Sequence, residues 1–490
     1  MQRKRNVITA LLLALSLLAS SLCLASCGET GETGETRPEA GTAAETETAA
    51  PSAYEKVTKD DWNGRAFTIL CRSESKNTYL RDFLVEELGA KGNTLLDDSI
   101  YERNRVVSND LHITIEPIAY GTYSDVNQAI LTQSSSGTDD YDAIVGHLYT
   151  YTGCAVNKTL WNLAELETLD MSAAWWDTEC VTNLSAYGYT PLLCGDIVPG
   201  SMTQSACLAF NKKLMKDMKK DEPYDAVRAG TWTLDMLNEV TADVTSDLNG
   251  DGKIVPEDDM FGIAANAIDT FFSMYYGCGT RFIEVDADGV PEVSFDHDKA
   301  IDVYDTMYQG LITQQAFCLT NQTIKHTDVF IAGRALYLDN KLLGMSRLSA
   351  EMSDDYGIVP EPKYDEGQED YCAFINGDTP LVGIISSETT PEFSGAVLEA
   401  MGAYNYTNIT PLLFEIVTKS RNARDPESAE MVDVIISHRV FDFAYFYDTD
   451  LGWLVYDNLK AGKPSISSAM KTAERSTVNQ LKKIVKEMAK

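Results

Sequence analysis

The sequence is short of positive charge. Its 490 residues include 40 lysines and arginines but 74 aspartates and glutamates, and the formal net charge is −34 at pH 7. Nucleic acids and anionic membrane surfaces would repel such a chain, so we expect no nucleic-acid partner. A solvated acidic surface accounts for the excess charge without a dedicated cationic partner.

Familiar catalytic motifs are also missing. The chain has no Gly-x-Ser-x-Gly elbow, no His-Glu-x-x-His helix and no Gly-x-x-x-x-Gly-Lys-Ser/Thr phosphate loop, and its five histidines are scattered. We therefore expect a protein that is not an enzyme. A secreted glycoside hydrolase or another carbohydrate-active enzyme remains the alternative, because the two carboxylates of a glycosidase carry no strong local signature.

Cysteines are present but are not clustered. Beyond Cys23 and Cys27, eight cysteines are widely spaced, with no Cys-x-x-Cys or Cys/His grouping of the kind that binds zinc or an iron–sulfur cluster. Disulfide bonds and buried free thiols both fit the even count, and the sequence leaves the two open.

The first residues are typical of a bacterial lipoprotein signal. Three basic residues precede an apolar run from Val7 to Leu22, which is too short to favour a stable membrane span, and Leu24-Ala25-Ser26-Cys27 follows. We predict a signal peptide over residues 1–26 and acylation of Cys27, with an ordinary secretory signal as the alternative. The protein would then be lipid-anchored on the extracytoplasmic face of the cell membrane.

A spacer follows the predicted anchor. Gly28-Glu29-Thr30 repeats to Thr36, and the segment through Ala53 contains no aromatic residue and no aliphatic residue larger than alanine. Such a segment cannot bury enough apolar surface to offset its ordering entropy. We predict a disordered acidic tether over residues 27–54.

The next stretch alternates between strand and helix patterns. Its predicted elements are a strand at 66–70, a helix at 99–111, a strand at 113–118, a helix at 124–132 and a strand at 143–145. This βαβαβ order indicates a mostly parallel sheet whose ligands bind beyond the carboxyl ends of the strands. The candidate ligand contacts there are Arg72, Glu74, His147 and Tyr149, although any of them could be an ordinary polar loop residue.

An acidic loop from Asp247 to Asp258 has the spacing of a calcium-binding loop. Oxygen ligands at positions one, three and five, a glycine at six, a carbonyl at seven and a carboxylate at twelve match that pattern. The predicted metal ligands are Asp247, Asn249, Asp251, Lys253 through its carbonyl, and Asp258. Since aspartate replaces the usual glutamate at position twelve, we expect a weak, structural calcium site, with a metal-free turn as the alternative.

Taken together in chain order, these segments resemble a known family. The chain is similar to the extracellular solute-binding lipoproteins of ABC importers, in particular the carbohydrate-binding group of Gram-positive bacteria. Besides the signal, tether and loop, the segments that carry the resemblance are Tyr101-Glu102-Arg103-Asn104-Arg105, Trp175-Trp176-Asp177, Leu208-Ala209-Phe210-Asn211-Lys212, Thr231-Trp232-Thr233-Leu234 and Met260-Phe261-Gly262.

The resemblance implies an α/β fold of two lobes, periplasmic-binding-protein-like and of type II, with the hinge crossed more than once. We expect crossings near 195–205, 374–382 and 409–427. The N-terminal lobe would comprise 55–198 with 380–415, and the C-terminal lobe 199–379 with 416–490.

The resemblance also implies site residues. Tyr275 and Tyr276 would offer rings for sugar stacking, and Asp339 and Asn340 would bind hydroxyl groups at the end of a strand. The family's Gly-Pro-Trp-like turn is absent at that strand end, which puts stacking there in doubt. Asp196 would face the cleft from the first crossing.

The implied function is the substrate-binding subunit of an ABC importer. It would capture a small solute, most simply an oligosaccharide, by hinge closure and deliver it to the permease subunits in the membrane. We expect a monomer. A surface-anchored solute sensor is a further alternative, and the sequence does not identify the solute; peptides stay open.

Overall fold

A computed structural model describes residues 52–72, 80–83, 94–313, 317–319, 324–418 and 426–489. The predicted signal peptide, Cys27 and nearly all of the tether lie outside the described residues. Pro51–Lys490 forms one compact unit. Tyr54, which we expected to end the tether, is buried, and its hydroxyl donates to Asp110 Oδ2 at 3.0 Å. The folded part therefore includes residues that we assigned to the tether.

The described residues contain thirteen strands. They are β1 Arg65–Cys71, β2 Ile113–Ala119, β3 Ala143–Gly146, β4 Ala206–Asn211, β5 Phe261–Ala265, β6 Ile283–Val285, β7 Pro291–Val293, β8 Phe317–Leu319, β9 Ala335–Lys341, β10 Tyr356–Val359, β11 Ala373–Phe374, β12 Leu381–Gly383 and β13 Arg439–Val440.

Eighteen α-helices surround these strands in the described part of the chain. They are α1 Ala53–Lys56, α2 Leu95–Leu111, α3 Tyr123–Ser136, α4 Leu148–Val156, α5 Thr178–Leu184, α6 Lys212–Asp217, α7 Tyr224–Ala229, α8 Leu234–Thr241, α9 Ala267–Gly277, α10 His297–Tyr308, α11 His326–Ile331, α12 Met345–Glu351, α13 Pro391–Asn408, α14 Thr410–Thr418, α15 Pro426–Ser437, α16 Phe443–Phe446, α17 Asp450–Lys460 and α18 Ser467–Met488.

Two mixed sheets form the centres of two α/β lobes. The first sheet has the order β12-β3-β1-β2, in which β1 is parallel to both β2 and β3. The second has the order β10-β4-β9-β5-β8, in which β5 is parallel to β8 and β9 while β4 runs antiparallel to β9 and β10. The predicted βαβαβ start is confirmed.

The chain passes between the two sheets more than once, as predicted. It leaves the first sheet after β3 and enters the second at β4, returns from β10 to β12 in the first sheet, and then reaches α15, which packs on β10 of the second. The precise lobe boundaries stay predictions.

Local sequence signals fix the elements of the first lobe. Thr94 caps α2 by accepting a hydrogen bond from Asp97 N at 3.2 Å, and the Asp97 carboxylate accepts from Thr94 N at 2.8 Å. Thr122 and Asp125 repeat this capping box at α3, which ends at Gly137 with a φ of 68°. Capping of this kind typically contributes about 1 kcal/mol. Within the described residues, no helix combines the length and apolarity that a bilayer span requires.

The cysteines of the described residues are free thiols. Seven are buried and Cys372 is partly buried. They act as small apolar core residues in this structure.

Candidate functional site

The candidate site begins where two strands of the first sheet end. Arg72 follows β1 and His147 follows β3, and both reach Asp378: Arg72 Nη1 lies 3.8 Å and His147 Nε2 3.0 Å from Asp378 Oδ1. The ring of Tyr123 stacks on His147 at a centroid distance of 5.8 Å and an interplanar angle of 26°. The Arg72 guanidinium lies 5.7 Å from the centroid of the same Tyr123 ring.

The second sheet supplies the facing groups. Lys341, the last residue of β9, has its Nζ 3.9 Å from Asp378 Oδ2 and 3.9 Å from Asp269 Oδ1. Asp269 also accepts hydrogen bonds from Asn266 Nδ2 at 3.0 Å and from Asn376 Nδ2. Asp378 thus links cationic groups from both sheets. We define the inter-sheet cluster as Arg72, Tyr123, His147, Asn266, Asp269, Lys341, Asn376 and Asp378.

Strand pairing, helix capping and a turn between two strands position the groups of the cluster. β5 and β9 are parallel, so the Asn266 that follows β5 and the Lys341 that ends β9 meet at one sheet edge. Asn266 caps α9 by accepting from Ile268 N at 3.2 Å, which holds Asp269 in the first helical turn. In the connection from β11 to β12, the backbone Asp378 N donates to Asn376 Oδ1 at 2.8 Å, which orients the Asn376 side chain.

Charge within the cluster is unevenly exposed. The side chains of Arg72, His147 and Lys341 are 11%, 9% and 17% exposed, whereas that of Asp378 is 50% exposed. The hydrogen bond from His147, assisted by Lys341 and Arg72, lowers the pKa of Asp378 to about 2. Burial lowers the pKa of the nearby His326 imidazole, and Asp269 opposes that shift. The cluster therefore holds Asp378 as an anion.

The structure brings only some of the predicted ligand contacts together. Arg72 and His147 belong to the cluster, and the carbonyl oxygen of the Asn340 side chain accepts from Lys341 N at 2.8 Å beside it. Glu74 lies outside the described residues. Tyr149 is in α4, but its side chain lies outside the described part as well.

The prediction that Asp339 binds hydroxyl groups of the solute is corrected, because its side chain faces the interior of the second lobe. It is 2% exposed and accepts a hydrogen bond from Ser273 Oγ of α9 at 2.7 Å. Burial raises the pKa of this carboxyl to about 8. Asp339 and Lys341 are two residues apart and share one face of β9, but Lys341 is the last residue of the strand, where its ammonium group reaches the cluster.

The prediction that Tyr275 and Tyr276 stack on a sugar is also corrected, because both are core residues. Each is 1% exposed. The Tyr275 ring stacks on Phe282 at 5.3 Å and the Tyr276 ring on Phe374 at 5.3 Å, with interplanar angles of 19° and 6°. A ring that other aromatic rings enclose has no open face for a solute.

Asp196 lies at the first crossing but away from the cluster. Its carboxylate accepts a hydrogen bond from the Thr410 hydroxyl, and its surroundings include Arg439 and Asp177. Burial raises the pKa of Asp196 to about 7. Its contacts tie the crossing to α14, and among the described residues its side-chain partner, Thr410, is not a member of the cluster.

In the predicted calcium loop, backbone amides donate hydrogen bonds to side-chain oxygens of the same loop. Asp247 accepts from Gly250 N at 2.6 Å and from Gly252 N at 2.7 Å, and the two glycines have φ values of 75° and 82°. Asp251 Oδ1 accepts from Lys253 N at 2.8 Å. Across the described residues, no three His, Cys, Asp or Glu side chains converge as a metal site. Asn249 Nδ2 does approach Asp258 Oδ2, at 3.5 Å, so loop positions three and twelve lie close together.

Sequence reasoning missed six residues of the cluster, among them Asn266, which caps α9. Asn376 and Asp378 fall within the crossing predicted at 374–382, and Lys341 directly follows the predicted pair Asp339-Asn340, so position along the chain was a usable signal. Tyr123 and Asp269 open helices, and nothing in their local sequence distinguishes them from ordinary capping-turn residues.

The similarity of this chain to known proteins is found at the level of the fold. No protein-family model and no curated protein matches the sequence. Among solved structures, the galacto-N-biose/lacto-N-biose I-binding protein of the ABC transporter from Bifidobacterium longum, in complex with lacto-N-biose, aligns with a TM-score of 0.56 and 12% identity over 87% of this chain and 99% of that chain. The maltose/maltodextrin-binding domain MalE from Bdellovibrio bacteriovorus, bound to maltotriose, aligns with a TM-score of 0.53 and 15% identity over 85% and 100%.

A third similar structure is an ABC substrate-binding protein from Listeria monocytogenes in complex with cycloalternan, with a TM-score of 0.52 and 13% identity over 86% of this chain and 99% of that chain. At these identities the likeness concerns the fold. The chain has the two-lobed, periplasmic-binding-protein-like α/β fold of type II that its sequence predicts.

Proposed function

We propose that the protein is the substrate-binding subunit of an ABC importer, which captures an oligosaccharide between its lobes and delivers it to a membrane permease. The observation that carries the proposal is the inter-sheet cluster. Polar and charged groups from the facing edges of both sheets meet there through Asp378. A solute that contacts both lobes favours the closed arrangement, because it gains contacts from each.

The structural neighbours support this proposal. They are ABC transporter or maltodextrin-binding proteins in complex with lacto-N-biose, maltotriose or cycloalternan. That they are binding proteins supports a function without bond cleavage. Donors and acceptors such as Arg72, Asn266 and Asp269 suit sugar hydroxyl groups, each of which must be hydrogen-bonded when buried.

The location and partners belong to the same proposal. Acylation of Cys27 would hold the protein on the extracytoplasmic face of the cell membrane, and the acidic segment after it would serve as the tether. The partners would be the permease subunits of the importer, with the protein itself a monomer.

A thermal-shift screen tests the function. The chain without its first 51 residues is heated with a panel of mono- and oligosaccharides, with peptides as a comparison class. A ligand that binds only the folded state raises the melting temperature by mass action. We expect at least one oligosaccharide to raise it, and Asp269→Asn to reduce the shift. Lys213→Met is the control, since Lys213 is exposed and paired with Asp217. If only peptides raise it, the carbohydrate proposal is wrong.

We also propose that the loop from Asp247 to Asp258 binds Ca²⁺. The ligand spacing and the closeness of Asn249 and Asp258 support it. Adding millimolar Ca²⁺ to the chelated protein should raise the melting temperature, whereas the Asp247→Asn variant should respond less. Mg²⁺ at the same concentration is the control for nonspecific screening. If the melting temperature responds equally to both ions, or responds to neither, the loop is a metal-free turn.

A further inference from the structure

The last described helix, α18, has one side in the core and the other in solvent. Its buried residues recur at the spacing of 3.6 residues per turn, so they lie on one side of the helix. They are Met470, Ala473, Thr477, Leu481 and Met488. This buried side packs on α17, α4 and β7. The side of α18 that a partner could reach is therefore the opposite one.

The exposed side of α18 is basic. The exposed charged residues of the helix are Lys471, Arg475, Lys482, Lys483 and Lys486. At 3.6 residues per turn, all of them except Lys483 fall within about 60° of one another around the helix axis, and they extend over about 22 Å along it. We define these five side chains as the basic face.

The acidic side chains of α18 lie outside the basic face. The helix has two of them, Glu474 and Glu487, and both are partly buried. Glu474 Oε2 lies 3.1 Å from Nε2 of His297 in α10. The neighbouring Asp450 of α17 accepts a hydrogen bond from Gln480 Nε2 at 3.0 Å. The exposed side of the helix thus presents positive charge with no carboxylate of its own.

The basic face contrasts with the rest of the chain. Residues 460–489 include seven basic and two acidic residues, whereas the whole chain has 40 basic and 74 acidic ones. An anionic surface would therefore repel the protein as a whole but attract this helix. At an ionic strength of 0.1 M, charges more than about 10 Å from such a surface are largely screened. The local charge of the face in contact then outweighs the net charge.

We propose that the basic face of α18 docks on the anionic phospholipid headgroups of the membrane to which the protein is anchored. This inference goes beyond the proposed function, because it concerns the orientation of the folded unit and not its solute. About 25 residues separate Cys27 from α1, and a coil of that length would span roughly 25–30 Å. The headgroups would thus be within reach. Since the buried side of α18 is already packed, the contact is made by charge and not by insertion of apolar side chains.

Cosedimentation with lipid vesicles tests the docking. The chain without its first 51 residues is mixed in 0.1 M salt with phosphatidylcholine vesicles that contain either one-third phosphatidylglycerol or none. We expect binding to the anionic vesicles alone, and its loss in 0.5 M salt, where screening is stronger. Lys482→Gln/Lys486→Gln should weaken binding about tenfold or more, since each basic side chain near an anionic surface strengthens binding about fivefold.

Lys213→Gln/Lys216→Gln is the matched control. It removes two exposed lysines from α6 and should leave vesicle binding unchanged. Melting temperatures report whether both double variants are folded. No binding to anionic vesicles, equal binding to neutral ones, or an equal loss in both double variants would overturn the docking. None of these results affects solute capture, which the thermal-shift screen tests separately.

Sedimentation velocity without vesicles tests the competing occupant, a second copy of this acidic chain. We expect a monomer for the wild type and for both double variants. Self-association of the wild type that Lys482→Gln/Lys486→Gln abolishes would assign the basic face to a contact between copies and overturn the membrane docking.

Discussion

Replacing Tyr276 with alanine should lower the free energy of unfolding by about 3–5 kcal/mol, the usual cost of deleting a buried aromatic side chain. The ring is 1% exposed, stacks on Phe374 at 5.3 Å and meets Tyr275 edge-on at 5.9 Å. Close-packed neighbours relax only partly, so the substitution leaves a cavity. Urea unfolding of the variant and the wild type measures the difference.

Tyr276→Phe is the matched control for this prediction. It keeps the ring and its stacking while removing only the hydroxyl, so it should cost less than about 2 kcal/mol. The contrary result is a Tyr276→Ala variant with wild-type stability that no longer binds solute. That outcome would restore Tyr276 as a stacking residue of the site.

Raising the pH from 5 to 8 should destabilise the protein. Burial raises the pKa of Asp339 to about 8 and places the pKa of Glu361 well above its usual range, with the Asp339 charge adding to the shift. Glu361 is fully buried, and its carboxyl oxygens have no hydrogen-bond partner in the described part of the protein. Both side chains lie against α9, since Ser273 donates to the Asp339 carboxylate and Gly277, one turn later, lies beside Cβ and Cγ of Glu361.

The direction follows from proton binding. In the unfolded chain both carboxyls ionise near pH 4, but in the folded protein burial raises the pKa of Asp339 to about 8 and that of Glu361 well above its usual range. Between these limits the unfolded state binds fewer protons, so the stability from this source is greatest below about pH 4 and falls as the pH rises. Asp378, whose pKa is lowered to about 2, affects stability only below its unfolded value near 4.

Glu361→Gln tests this directly. The amide is neutral at every pH, so the variant should be more stable than wild type at pH 8, and its pH dependence between 5 and 8 should be shallower. Glu366→Gln, an exposed position five residues later, should change neither. A stability that is flat or rises with pH in the wild type would contradict the assignment of buried, protonated carboxyls.

The fold was predictable because its signals are local and repeated. The buried strand after Arg65, the helix pattern from Ser99 and the alternating strand at Ile113 each specify an element by themselves, and their order specifies a parallel sheet. Sequence reasoning placed Arg72 and His147 correctly at the strand ends for the same reason. The antiparallel pairing of β4 with β9 and β10 depends on long-range packing, and no local pattern indicates it.

The site was less predictable because burial is decided by tertiary packing. Tyr275 and Tyr276 have the composition of a sugar-binding surface, yet Phe282 and Phe374, from other elements, enclose them. Asp339 differs from Lys341 only by its position along β9, and that position decides between a protonated core carboxyl and a cation at the site. Asp378 acquires its role from three partners that are distant in the sequence.

Isothermal titration calorimetry of the mature chain with the oligosaccharide selected by the thermal-shift screen, followed by chromatography of the recovered sugar, tests the central claim. The account predicts saturable binding at one site per chain and a sugar recovered unchanged. A sugar recovered in fragments would identify a carbohydrate-active enzyme. The absence of saturable binding to any oligosaccharide would contradict a solute-binding subunit of this class.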